Sequence, residues 1–234
     1  MRAFILGNGP SLATTPLDSL RGETTFAMNR IHLLYPKVEW RPTYYLAFDY
    51  TGISGDQMKE DLLINIKEAK HSFIRADKAN YVESKLARFE WPPSITYFWP
   101  QCSHVGLNIA SAHRDQLAFA RLPHAWHMPR VCGFGGTMHI TVQVAVSMGY
   151  DELYLLGCDL GFKPFKKDEP DPNHFDPNYI GYDDFPWDER DETLLYVHKL
   201  IEQETRRLKV RVVNLSESAG LGHIHDRSSL EKVL

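Results

Sequence analysis

The sequence predicts an α/β protein of the Rossmann-like, doubly wound kind, with a mostly parallel sheet and one long lid segment. Three observations predict it. Short apolar runs without alternation recur along the chain, as in strands buried on both faces of a parallel sheet. Each stops at a glycine or a polar residue. Helical patterns lie between them, the alternation that builds crossover connections.

The strand-like runs come in order. Ala3–Leu6 stops at Gly7-Asn8-Gly9-Pro10-Ser11, Thr24–Met28 at Asn29-Arg30, and Tyr44–Phe48 at Asp49. Leu153–Leu156 stops at Gly157-Cys158-Asp159, and Val210–Val213 at Asn214. Between them, Ser54 with Gln57 three residues on reads as a capping box, and Met58, Leu62, Ile66 and Ala69 make the apolar stripe that follows. Thr137–Met148 is apolar almost all round and closes at Gly149, as a buried helix with a C′ glycine does. Asp191–Leu208 is a charged helix with Leu194, Leu195, Val197, His198 and Ile201 facing a core. Glu90–Arg130 is irregular and rich in His and Trp.

The stretch 161–191 breaks the pattern. It holds five prolines, clustered lysines, many aspartates and Phe175, Tyr179, Tyr182, Phe185 and Trp187. Long loops inside a compact domain are usually either functional or disordered, and purely solvated ones seldom carry so many aromatics. It is read as a lid over the site of a single domain spanning 1–234.

Composition narrows the function. The 234 residues are 43% hydrophobic and 24% charged, ordinary for a folded soluble domain. A formal charge of −4 disfavours a non-specific nucleic-acid binder. Cys102, Cys132 and Cys158 are odd in number and far apart, so neither a disulfide framework nor a thiolate zinc module is indicated. No apolar stretch reaches the ~20 residues needed to span a bilayer, and the first strand leaves no room for a leader. The expectation is a cytoplasmic protein, peripheral to the inner face of the membrane at most.

Four constellations carry chemistry. In Gly7-Asn8-Gly9-Pro10-Ser11-Leu12, two glycines let the backbone approach a ligand, and a following helix would aim free N–H groups at an anion. No lysine follows, so this is not a Walker loop. Gly133-Phe134-Gly135-Gly136-Thr137 opens the buried helix as a second platform for phosphate or ribose. Asp159 stands at a strand's carboxyl end, where open α/β sheets bind ligands; it holds a ribose, a base, a divalent ion, or caps the next turn. The lid offers His174, Asp176, Tyr179, Tyr182, Asp183 and Asp184, among which an acceptor hydroxyl would find its base. The closest histidine pairs, His223 with His225 and His124 with His127, match no zinc-site spacing.

These blocks resemble, in order, bacterial sialyltransferases of the Campylobacter lipooligosaccharide type. The first half is carried by Gly7-Asn8-Gly9-Pro10-Ser11-Leu12, Met28-Asn29-Arg30 and Phe48-Asp49. The second is carried by Gly135-Gly136, the block 145–159 and Asn178-Tyr179-Ile180-Gly181. The wider framework is similar to motility accessory factor glycosyltransferases and to 6-hydroxymethylpterin diphosphokinase-like proteins. The resemblance implies a nucleotide site of Gly7, Asn8, Gly9, Pro10, Ser11, Asn29, Asp49, Gly135, Gly136, Thr137, Asp159 and Tyr179. Where the sialyltransferases carry a histidine base this chain has Tyr182, and Leu160-Gly161 replaces the aromatic phosphate contact after Asp159. His174 is then the nearest candidate base, with Asp176, Tyr182, Asp183 and Asp184 as alternatives, and Lys163, Lys166 and Lys167 are available to neutralise phosphate.

The expected reaction is therefore transfer of a sugar from a nucleotide-activated donor, such as a CMP-linked nonulosonate, to a glycan or small-alcohol acceptor, as in lipopolysaccharide biosynthesis. Two alternatives stand beside it. One is a magnesium-dependent pyrophosphokinase acting on a pterin-like alcohol, with Mg2+ on Asp159 and the acidic lid. The other is a nucleotide-binding module without catalysis. Whether the chain forms a homo-oligomer is left open.

Overall fold

Among the described residues nine strands form one open sheet, and every neighbouring pair is parallel. The computed structural model describes residues 1–47, 55–75, 95–100, 130–131, 136–166, 169–179, 187–218 and 220–234. The strands are β1 (Arg2–Leu6), β2 (Thr25–Met28), β3 (Tyr44–Ala47), β4 (His71–Arg75), β5 (Ile95–Pro100), β6 (Arg130–Val131), β7 (Glu152–Leu156), β8 (Arg211–Asn214) and β9 (Asp226–Arg227). Their spatial order is β6-β5-β4-β3-β2-β1-β7-β8-β9. From β1 the chain steps outward to β6, then returns across the sheet and continues from β7 to the other edge.

Four α-helices accompany them among the described residues: α1 (Gly55–Glu68), α2 (Gly136–Ser147), α3 (Trp187–Arg207) and the short α4 (Leu230–Val233). After Arg2, Thr25 and Glu152 at their starts, strands β1, β2 and β7 are apolar because both faces are covered. Ala3 and Ile5 of β1 join a core with Ile140 and Val144 of α2 and Val197 and Ile201 of α3. Phe4 and Leu6 point the other way, into a core with Leu62 and Ile66 of α1 and with Leu12, Leu17 and Trp40. The doubly wound arrangement read from the sequence is the observed one.

Local chemistry sets the boundaries. Helix α2 is buried nearly all round, as its composition demands, and closes in a Schellman turn. Gly149 takes φ 89 there, its N–H reaching Val146 O at 2.9 Å while Tyr150 N–H reaches Ala145 O at 3.1 Å. After β1 the expectation changes. Instead of an α-helix, Pro10–Thr14 and Leu17–Leu20 each make a short 3-10 turn. Thr15 precedes Pro16 and is extended at ψ 127, the conformation that proline imposes on its predecessor, so a longer helix is cut off. Ser54, read as a cap of α1, lies outside the described residues, and the Gln57 side-chain amide donates to Asp61 Oδ1 at 2.8 Å.

Candidate functional site at the strand reversal

Strands β1 and β7 lie side by side, yet the chain leaves them in opposite directions. This reversal is where open α/β sheets leave a crevice beyond the strand ends. The ladder between them continues past the strands: Gly7 N–H donates to Leu156 O at 2.8 Å and Gly9 N–H to Gly157 O at 2.9 Å. The two loops touch so closely that side chains are excluded. A Cβ on Gly7 would lie 2.3 Å from Gly157 O, and one on Gly9 2.5 Å from Asp159 Oδ2. Asp159 then clamps the loop, accepting from Ser11 N–H at 2.7 Å and from Ser11 Oγ–H at 2.9 Å. The N–H groups of Gly7, Gly9 and Ser11 are therefore bonded within the protein, and the glycines serve loop-to-loop contact first.

A cavity of about 410 Å³ opens beside this clamp, lined by Pro10, Ser11, Asp159, Phe162, Lys163 and Asn173 among others. Its outer wall belongs to the lid. Lys163 N–H donates to Asn173 Oδ1 at 2.7 Å, and Asn173 Nδ2 returns a bond to Lys163 O at 2.8 Å. The N–H groups of Gly161 and Phe162 both reach the Asp191 carboxylate, at 3.0–3.3 Å.

On the opposite side of β1 a second group gathers. Asn29 sits at the end of β2 with φ 50, a left-handed conformation that asparagine tolerates better than most residues. Its carbonyl accepts from Tyr45 Oη–H at 2.9 Å and Asn65 Nδ2 at 3.1 Å, and its Oδ1 accepts from Thr137 Oγ at 3.3 Å. Asn8 Nδ2 donates to Met28 O at 3.2 Å, while Asn8 Oδ1 is buried with no partner among the described residues. Gly136 opens α2 at φ 78, with nothing within 4 Å of where a Cβ would stand.

The lid is seated on this same loop. Phe175 N–H donates to Asn8 O at 3.0 Å, and the side chains of Phe175 and Tyr179 are buried in the core beneath. His174 Nδ1 lies 2.7 Å from Asp171 Oδ2, and its ring stacks on Tyr179 with centroids 4.0 Å apart and planes within 5°. Asp171 is itself buried and fixed by Asn173 N–H at 2.8 Å on its other oxygen. With Nδ1–H donated to the carboxylate, Nε2 carries the free lone pair. The phenol of Tyr179 accepts from Arg30 N–H at 3.3 Å, and burial pushes its pKa well above the ordinary tyrosine value, so it stays protonated.

Of the sequence-predicted residues, Asn8, Asn29, Thr137, Gly136, Tyr179 and His174 come together around the ends of β1 and β2. Pro10, Ser11 and Asp159 border the cavity on the β7 side. Asp49, Gly135, Tyr182, Asp183, Asp184 and Lys167 lie outside the described residues. The described residues contain no group of three or more His, Cys, Asp or Glu side chains arranged to hold a metal ion, and His225 is engaged by Glu202 and His198. No described helix is long and apolar enough to cross a membrane.

Sequence reasoning missed Asp171, Asn173 and the buried cluster under Arg30. The Arg30 Nε–H donates to Asp61 Oδ2 at 2.8 Å, and Asp61 is fully buried and also meets His32 Nε2 at 3.1 Å. An i, i+4 pairing of Gln57 with Asp61 on one helix face was the available signal.

No protein-family model matches the chain, and no curated protein matches it in sequence. A MAf glycosyltransferase from Magnetospirillum magneticum AMB-1, known from its structure, is similar to it in fold. The two are 13% identical with a TM-score of 0.53, over 99% of this chain and 34% of that one. This chain thus spans about a third of that protein's length, and the likeness is one of architecture.

Two outcomes follow from the geometry. Gly9→Ala would drive its methyl into a carboxylate held by two bonds. It should lower stability by roughly 1–3 kcal/mol, the usual cost of overpacking, without any ligand present. Denaturant unfolding checks this; a neutral Gly9→Ala would mean that Asp159 swings aside freely. The second concerns acid. Burial alone would raise the Asp61 carboxyl, but hydrogen bonds from His32 and Gln57 and the charge of Arg30 outweigh it and hold the carboxyl below its ordinary range. The unfolded chain then takes up this proton more readily than the fold. The stabilisation is complete above the unfolded carboxylate value, about 3.9, and is lost as pH falls through the folded value. Asp61→Asn should lower the melting temperature at neutral pH and flatten this acid limb in scanning calorimetry.

Proposed function

We propose that the chain is a glycosyltransferase domain that takes its sugar from a nucleotide-activated donor. The observation that carries this reading is the His174–Asp171 pair, seated on the Asn8 loop at the point where the sheet reverses. A carboxylate-oriented imidazole next in sequence to Asn173, which lines the cavity, is the arrangement of a general base. The fold shared with a MAf glycosyltransferase agrees with it.

In this reading the nucleoside occupies the cavity between Ser11, Asp159, Lys163 and Asn173. Its volume is within the usual range for small-molecule sites, about 300–1,000 Å³. Asp159 has spent one acceptor site per oxygen on Ser11 and keeps others for ribose hydroxyls. The phosphate lies toward the first turn of α2 at Gly136 and Thr137, where first-turn N–H groups without intrahelical acceptors and the helix dipole favour an anion. Asn8 Oδ1 takes a hydroxyl of the donor. The acceptor oxygen attacks the anomeric carbon as the bond from that carbon to the phosphate oxygen breaks, and the acceptor proton passes to His174 Nε2. The nucleotide leaves with the bonding pair. A CMP-linked nonulosonate is the first donor to try.

A melting-temperature panel with CMP, CDP, UDP, GDP, ATP and GTP, each with and without magnesium, tests the site. A ligand that binds only the native state must raise its melting point by mass action. Stabilisation by a nucleoside mono- or diphosphate without magnesium supports sugar transfer; stabilisation only by a triphosphate with magnesium would replace it with pyrophosphoryl transfer. With a turning-over donor in hand, His174→Ala should cut turnover roughly 10²-fold or more while leaving nucleotide affinity unchanged. Asp171→Asn should cost less, because the imidazole remains but loses its orientation. Full activity in His174→Ala would remove the proposed base.

A further inference from the structure

Arg30 is placed where three parts of the molecule meet. Its Nε–H is committed to Asp61 of α1, a carboxylate with no exposed surface. Its Nη1 donates to the backbone carbonyls of Asn178, at 3.3 Å, and of Tyr179. Its own N–H donates to the Tyr179 hydroxyl, and its guanidinium stands 5.8 Å from the centre of the Tyr179 ring. One side chain therefore ties a helix to residues 178–179 through the backbone of both and the ring of Tyr179.

The tie is costly and well supported. A buried carboxylate survives only when its charge is compensated, and Asp61 has Arg30, His32 and Gln57 for that. Four residues further along the same helix face, Asn65 Nδ2 bonds the Asn29 carbonyl, so α1 holds Asn29 and Arg30 at once. The Arg30 end of the tie continues by ring stacking from Tyr179 to His174 and by hydrogen bond from His174 to Asp171. Guanidinium suits this place because its planar fork reaches a carboxylate and carbonyls in different directions, whereas a lysine ammonium is a single point on a flexible stem.

We propose that Arg30, anchored by Asp61, is a positioning residue that keeps residues 171–179 closed over the end of β1 and so fixes the His174 imidazole. The closure is a property of the fold, whatever the reaction. Its effect on catalysis rests on the transferase reading above. Arg30 does not line the cavity and acts through the Asn178 and Tyr179 carbonyls and the Tyr179 ring.

Hydrogen exchange on the full chain, without ligand, tests the closure. In Arg30→Gln the amides of residues 171–179 should exchange at least 10-fold faster than in the native protein, while those of β1, β7 and β8 keep their protection. Should Arg30→Gln fail to fold, Arg30→Lys decides, with residues 171–179 again exchanging faster than in the native protein and the central strands unchanged. Unchanged protection of 171–179 in a folded variant overturns the proposal, and so does an equal loss across the central strands, which would make Arg30 a general stabilising residue. The catalytic arm uses any donor that the native protein turns over. There kcat should fall in Arg30→Lys with little change in KM, and its pH profile should shift away from that of the native protein. If no donor is turned over but the exchange result holds, the transferase reading fails and the latch stands.

Discussion

The arrangement depends on how closely the loops after β1 and β7 approach. Two parallel strands end together, and their backbones go on bonding for three residues beyond the sheet. That continuation leaves no space for a side chain at Gly7 or Gly9 and aims the Asp159 carboxylate at Ser11. The glycine-rich loop looks like an anion cradle in sequence, yet its amides are largely spent on its neighbour. What the clamp supplies is a rigid rim: a cavity on the β7 side, the Asn8 side chain on the β2 side, and a carbonyl at Asn8 to which the lid attaches.

The lid obeys a different physics from the sheet. Residues 161–166 and 169–179 form no helix, being interrupted by Pro164, Pro170, Pro172 and Pro177, and the long helix α3 starts only at Trp187, inside the stretch read as lid. The part before α3 is held instead by single residues, each satisfied in its own way. Phe175 and Tyr179 contribute buried aromatic surface. Asn173 pairs reciprocally with the Lys163 backbone, and Asp191 gathers two amides at the other end. The Asn173 and Asp191 side chains hold backbone groups that would otherwise need water, so residues 161–166 and 169–179, which form no helix or strand, find partners for part of their backbone.

Much of the sheet was legible because its strands carry the simplest signal a sequence offers, a short run of apolar residues buried on both sides. β1, β2, β3, β7 and β8 all read this way. β4 did not, since His71 and Ser72 interrupt its run, and Ser72 is nonetheless buried. β5 lay hidden in a stretch where Pro92, Pro93 and Pro100 argue against a strand interior. In the site, Asn8, Asn29 and His174 were legible as polar residues at strand ends or within an aromatic lid. Asp171 was not, because a partner three residues away carries meaning only once a turn is known. The bond from Asp171 N–H to Pro177 O that shapes that turn is invisible in the sequence.

Asp61 shows why the least legible residues can matter most. A carboxylate on the inner face of an otherwise apolar helix stripe breaks the pattern that makes the helix recognisable. Leu62 and Ile66 say that this face is buried, and Asp61 and Asn65 then stand where Coulomb and desolvation costs are highest. Such a group persists because its partners are arranged in advance, and here those partners are the residues that follow β2 and carry the lid. Replacing the cluster with packed apolar side chains would give a helix of comparable or better stability. It would leave the Asn29 turn without its Asn65 bond and the Arg30 guanidinium without a counter-charge. The cluster is best understood as a joint: its charges tie α1, the β2 end and the lid into one unit, and that unit places an oriented histidine beside the crevice of the sheet.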